Sequence, residues 1–219
     1  GDFLDRLDGQ ISVNAGFLAG HCAIRRYVMG GEAVGSAAGP EDLEKIRAEL
    51  AKALEAGALG FSFTNSTSHS DGEGEAVASR WATPDELIAL AEETGRHEGT
   101  TLEGIVPGCL DRFDDDEIEL LGTMSAAANR PMNWNVLTVD SREADRVPRQ
   151  MEAYDRAIEL GGKVIALTMP VQVPMNMSLA NFCGLFLIPG WGEVLDTDID
   201  ERISRLQDPD TRVRLLEHG

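Results

Sequence analysis

Short apolar runs alternate with amphipathic stretches along most of this chain. Leu43, Ile46, Leu50 and Leu54 recur at helical spacing behind Pro40, Glu41 and Asp42 and ahead of Gly57. Proline suits a first helical turn, acids suit the positive end of the helix, and glycine closes the last turn, so a helix is predicted here. A second is predicted from Thr83 to Gly95. Thr83 and Glu86 have capping-box spacing with Pro84 between them, and Leu87, Leu90 and Ala91 make the buried face. Asp114 and Glu117 repeat that spacing before Ile118, Leu121 and Met124. Residues 141–161 predict a further helix with a kink or restart at Pro148. The tail from Asp200 is also read as helical, with Ile203, Leu206 and Leu215 turned inward. Between these stretches, strands are predicted at 11–19, 58–63, 100–106, 132–139 and 163–169.

Strands and helices in strict alternation imply a parallel sheet with helices packed on it. Two closures are open: a partial (β/α)8 TIM-type barrel of about five strand–helix units, or an open parallel sheet. No GxGxxG follows the first strand, which removes the best sign of a nucleotide-binding sheet. The loops at 30–39 and 64–80 are long for βα connections and follow strands, so in a barrel they lie over the active face.

Composition narrows the partners. The 219 residues, 42% of them hydrophobic, suffice for a full-sized domain. A net charge of −19 repels phosphate backbones, so neither nucleic acid nor an anionic membrane is expected as a partner. The longest apolar stretch, 179–191, contains Asn181 and Pro189 and is too short to cross a bilayer. Cys22, Cys109 and Cys183 are far apart and odd in number, which fits a reducing, cytoplasmic setting. The chain begins at Gly1 without a Met, as expected of a fragment of a longer protein.

Several side chains stand out. Glu103 lies in an otherwise apolar strand and shares its face with Thr101 and Ile105. A carboxylate there must be paired, hydrogen-bonded or metal-bound, so it is either a catalytic base or metal ligand, or a structural acid satisfied by Arg25, Arg26 or backbone. Asn133 and Asn135 share a strand face, with Trp134 turned to the helices. They either orient a substrate beside Glu103 or form a network that fixes strand register. His21 ends the first strand beside Cys22, as a substrate contact or as a hydrogen-bonded loop anchor. Arg80 could clamp a substrate carboxylate or pair with an acidic neighbour. His69, His97 and His218 read as solvated, and Asp71, Glu73 and Glu75 lack calcium-loop spacing. Met169, Met175, Met177, Phe182 and Phe186 suggest an apolar patch, as an acyl pocket, a core or a subunit contact.

The ordered segments FLDRLDGQISVNAGFLAGHCAIRRYVMG, LAKALEAGALGFSF, SRWATPDELIALAEETGRHEGTTLE, LIPGWGEVL and RISRLQDPDTRVRLLEH resemble amidohydrolases of the D-aminoacylase type, N-acyl-D-amino-acid deacylases, over nearly the whole chain. The resemblance implies the central segment, 1–219, of a single (β/α)8 metal-dependent hydrolase domain. It implies zinc-assisted hydrolysis of a non-peptide carbon–nitrogen bond in a small-molecule substrate. The chain departs from the family pattern in several places. No His-x-His occurs, and the catalytic aspartate of the last strand would fall beyond Gly219. The family's metal-binding histidines of two middle strands fall here near Glu103 or Gly104 and near Asn135 or Val136. Its Tyr-Pro-Tyr element is reduced to Met169-Pro170-Val171. The segment alone is therefore expected to be inactive. Two alternatives stand beside deacylation: a metal-free relative that binds an acyl or acidic small molecule, and a structural fragment that forms homo-oligomers through the edges an incomplete barrel exposes.

Overall fold

The alternation seen in the sequence folds into a five-stranded, all-parallel sheet in the order β1 to β5, each strand beside its sequence neighbour. The computed structural model describes residues 2–72, 74–171, 174, 176–180 and 183–217. The strands are β1 (Ala19–Gly20), β2 (Gly60–Thr64), β3 (Thr101–Ile105), β4 (Met132–Asn135) and β5 (Val164–Leu167). The helices are α1 (Asp2–Leu7), α2 (His21–Met29), α3 (Pro40–Glu55), α4 (Pro84–Gly95), α5 (Asp115–Ala128) and α6 (Arg146–Glu159), followed by α7 (Gly192–Leu195), α8 (Ile199–Gln207) and α9 (Pro209–Leu216). The chain divides into two compact units, one of Gly1–Thr67 and Val77–Val171, the other of Ser68–Ala76 and Gln172–Gly219. The first holds the sheet with α1 to α6. The second holds α7 to α9, with Trp191 Nε1 donating to the Leu215 carbonyl at 3.0 Å.

The caps form where the sequence places them, with one exception. Asp114 accepts from the Glu117 amide at 2.7 Å while Glu117 accepts from the Asp114 amide at 2.9 Å, a reciprocal capping box. Gly57, at φ +103°, lets the chain leave α3, with its amide bonded to the Leu54 carbonyl. At α4 only half of the box forms. Thr83 Oγ1 accepts from the Glu86 amide at 3.2 Å, but the Glu86 carboxylate turns inward instead of reaching back.

Side chains alternate strictly across the sheet. Phe61, Leu102, Met132 and Val164 are in register on one face and are buried beneath the helices, with Phe63 and Trp134 two residues further along. Trp134 meets Phe113 edge-on at 4.9 Å. The other face carries two rows: Ser62, Glu103, Asn133 and Ile165, then Thr64, Ile105, Asn135 and Leu167. All eight are half-buried. Leu121 on α5 is fully buried in the helix-side core. Leu121→Ala is expected to cost about 2–5 kcal/mol through lost transfer energy and a residual cavity. A denaturation midpoint equal to that of the unmutated chain would contradict this.

Four sequence expectations are corrected. The first strand is only Ala19–Gly20, not 11–19; upstream of it, Phe17 offers its carbonyl to the Leu59 amide at 2.8 Å. His21 does not sit in a turn but begins α2. Pro148 causes no kink, because α6 starts at Arg146 and the proline falls in the first turn, where its missing N–H is not needed. The strands predicted at 132–139 and 163–169 end early, at Asn135 and Leu167.

Candidate functional site

Active faces of parallel βα folds lie at the carboxyl ends of the strands. On the sheet face away from the helices, from the middle of β3 to the carboxyl end of β4, the structure brings Glu103, Asn133 and Asn135 together. Glu103 and Asn133 are directly paired across β3 and β4, and Asn135 Nδ2 donates to Glu103 Oε1 at 2.6 Å. A carboxylate can only accept, so the amide orientation of Asn135 is fixed by chemistry. Asn133 Nδ2 is committed to Thr101 Oγ1 at 2.8 Å and to the Leu102 carbonyl at 2.9 Å. Three oxygens remain: Glu103 Oε2, Asn133 Oδ1 and Asn135 Oδ1. None has a hydrogen-bond partner among the described residues. The lining of this face is therefore rich in acceptors. Neither Arg25 nor Arg26 is bonded to Glu103.

His21 belongs to a different cluster, sealed on the helix side. Its Nδ1 lies 2.8 Å from Ser79 Oγ and its Nε2 2.9 Å from Glu86 Oε1. Arg25, one turn along α2, holds both Glu86 oxygens through Nη1 at 2.5 Å, and its Nη2 donates to the Ser36 carbonyl at 2.7 Å. Ser79 Oγ also accepts from the Thr64 amide at 3.2 Å. The reason lies in the sheet: β1 stops at Gly20, so the last residue of β2 finds a serine hydroxyl where a longer β1 would supply a carbonyl. The serine, histidine and carboxylate have the composition of a hydrolytic triad, but His21, Ser79 and Glu86 are at most 2% exposed, so no substrate reaches the hydroxyl. The cluster ties α2, α4 and the end of β2 together.

Sequence reasoning missed Glu86 and Ser79 because Glu86 is fully accounted for as a capping residue until α2 is recognised. The available signal was the spacing of His21 and Arg25, which puts both on one helix face.

Burial holds the His21 imidazole below its usual pKa despite the adjacent carboxylate. For Glu86 burial acts upward, but the His21 and Arg25 hydrogen bonds outweigh it and the net shift is downward. Both folded values lie below the unfolded ones, so the unfolded chain binds more protons on acidification. Stability is fully present above the ordinary histidine range and falls as pH drops through it, then further through the carboxylate range. Glu117, raised by burial, acts in the opposite sense. We expect a lower Tm at pH 5 than at pH 7, and a smaller difference in His21→Asn; equal pH dependence in the variant would contradict the assignment to His21.

Arg80 is half-buried in the single turn Ala78–Trp81. Cys22 is half-buried on α2, and burial pushes the Cys109 thiol up to about 12. Met169 is exposed in the first unit, while Met177 and Phe186 belong to the second, where Arg202 lies 5.4 Å from the Phe186 ring. Glu73, Met175, Phe182 and His218 lie outside the described residues.

A family model described as amidohydrolase family matches residues 1–219. The chain belongs to the amidohydrolase family. Solved structures agree with the fold. A D-aminoacylase, described as defining a novel subset of amidohydrolases, matches with a TM-score of 0.58 at 19% identity over 78% of this chain and 33% of its own. A D-aminoacylase mutant in complex with copper chloride gives 0.59 at 19%, with the same coverage. An N-acyl-D-glutamate deacylase from Bordetella bronchiseptica, complexed with zinc and a phosphonate inhibitor, gives 0.55 at 20% over 77% and 33%. This amidohydrolase chain thus spans about a third of the length of these neighbours, and its five-stranded parallel sheet with alternating helices is consistent with a fragment of an amidohydrolase TIM barrel. Comparison with curated protein sequences finds no match. Among the described residues no helix is long and apolar enough to cross a membrane.

The side chains here do not fit zinc. Among the described residues no three His, Cys, Asp or Glu gather at a point. Of the two middle-strand positions, one offers a carboxylate and the other an amide already bonded to it. Zinc prefers nitrogen and sulfur ligands, and a neutral amide is a poor substitute.

Proposed function

We propose that this chain is the central segment of a single barrel domain that hydrolyses non-peptide carbon–nitrogen bonds, with N-acyl-D-amino acids as the substrate class. The observation that carries the reading is the convergence of Glu103, Asn133 and Asn135 on the open sheet face of an amidohydrolase-family chain. Support for the substrate class comes from the deacylases among the structural neighbours.

In this reading Glu103 is the general base. It takes a proton from water as the water oxygen bonds to the acyl carbon. It then delivers that proton to the nitrogen as the carbon–nitrogen bond breaks, giving a carboxylic acid and an amine. Asn135 keeps the Glu103 carboxylate aimed through its N–H, and Asn133 presents its amide oxygen to the substrate N–H. Arg80 is proposed as the group that meets the substrate carboxylate, and His21 as an indirect support of the β2 end. Because the donor set does not fit zinc, no step passes through a metal. The acceptor-rich lining around Glu103 favours the amide end of the substrate, and the substrate carboxylate is left to Arg80.

The test is an assay of the full-length protein against N-acetyl-D-glutamate, its L enantiomer and neutral N-acetyl-D-amino acids, with and without added zinc. Turnover of a D substrate is expected. Absence of turnover with every one of them, with and without zinc, would overturn the reading.

A further inference from the structure

We propose that the Glu103–Asn135 pair is a metal-independent binding site for a protonated amine. The inference deepens the reading above, since the amine is the group that carbon–nitrogen hydrolysis releases, and it rests on that reading for the identity of the ligand in the cell.

The family resemblance places metal-binding side chains near these two positions. In this chain they bind each other, and the 2.6 Å bond from Asn135 Nδ2 uses one oxygen of Glu103. Glu103 Oε2 and Asn135 Oδ1 remain without a partner among the described residues, and both residues are half-buried rather than sealed. Asn133, paired with Glu103 across the strands, spends its N–H groups on Thr101 and Leu102 and so contributes a third acceptor oxygen.

Such a lining is matched by a ligand with several N–H donors and positive charge. An ammonium has three donors and no acceptor, and one charge-assisted bond to the carboxylate with further bonds to amide oxygens satisfies all of them. An anion meets only acceptors and a negative charge. The overall charge of −19 adds a long-range attraction for cations and none for acids. A hard metal ion at the free Glu103 Oε2 would find one carboxylate oxygen and otherwise only neutral amide oxygens, far fewer charged ligands than such ions take.

The experiment is an NMR titration of the isotopically labelled protein, read at the side-chain amides of Asn133 and Asn135. The probes are n-butylammonium, butyrate and zinc chloride. Saturable shifts with n-butylammonium are expected, with Kd on the order of millimolar for so small a ligand, and none with butyrate. Glu103→Gln keeps an oxygen to accept the Asn135 bond and so keeps the fold, but removes the charge; affinity for n-butylammonium should fall at least about tenfold. Asn135→Ala, checked for an intact backbone spectrum, should weaken binding as well. No shift with n-butylammonium, an equal response to butyrate, or a zinc response at these amides that Glu103→Gln abolishes would each overturn the proposal. Ammonium binding in a full-length protein without deacylase turnover would leave the site standing and reject the deacylase reading. Deacylase turnover without ammonium binding would do the reverse.

Discussion

Replacing Glu86 with alanine should destabilise the chain by about 3–5 kcal/mol, the largest loss expected from any single polar side chain here. Glu86 is 2% exposed and is the shared acceptor of His21 and Arg25. Its removal leaves the Arg25 guanidinium, itself fully buried, without a counter-charge, and leaves an imidazole nitrogen without a partner. Water cannot enter to compensate without opening the contact between α2 and α4. Whole domains are stable by only about 5–15 kcal/mol, so a loss of this size takes a large share of the total. Glu86→Gln should cost less, because the amide oxygen still accepts, though it cannot neutralise Arg25. Chemical denaturation of the three proteins checks this. A midpoint for Glu86→Ala within error of the parent chain would show that the cluster is not an anchor.

The fold was legible where local signals agreed. For α3, α4 and α5, apolar stripe, cap and terminator all pointed one way, and the strands at 58–63 and 100–106 were found within two residues. The failures have physical causes. In α2, two of the inward positions are His21 and Arg25, so a polar side chain interrupts the stripe on which a helix is recognised. At 11–19 the alternation of Ile11, Val13, Ala15 and Phe17 reads as a strand face, but residues 11–16 are exposed and only Ala19–Gly20 meets the ladder, opposite Phe61 and Ser62. Beyond Asn135 the apolar run Val136, Leu137 and Val139 reads as more strand, but only one further ladder-like bond forms, from the Leu137 amide to the Leu167 carbonyl at 2.7 Å. The geometry of Glu103 with Asn133 and Asn135 was legible because strand alternation puts all three on one face once β3 and β4 are neighbours. The buried His21 cluster was not, because it joins residues 58 and 65 apart in sequence through an unrecognised helix.

The second large effect concerns chemistry rather than stability. Glu103→Gln conserves shape and the bond accepted from Asn135, so the fold and the Tm should hold. It removes the only carboxylate among the described side chains of the two open-face rows. A glutamine cannot take a proton from water, and loss of a positioned general base typically costs 10²–10⁴-fold in rate. The same variant of a purely structural glutamate would leave turnover untouched or lower it only in step with the folded fraction. Asn133→Ala should have a smaller effect, mainly on KM, since it removes an amide oxygen that meets the substrate and no proton-transfer group.

The most direct measurement is therefore kcat of the full-length Glu103→Gln protein on an N-acyl-D-amino acid that the unmutated protein hydrolyses, taken alongside its Tm. The account predicts a fall of at least about 100-fold in kcat at an unchanged Tm. Full turnover at the same Tm would contradict it and remove Glu103 from the chemistry.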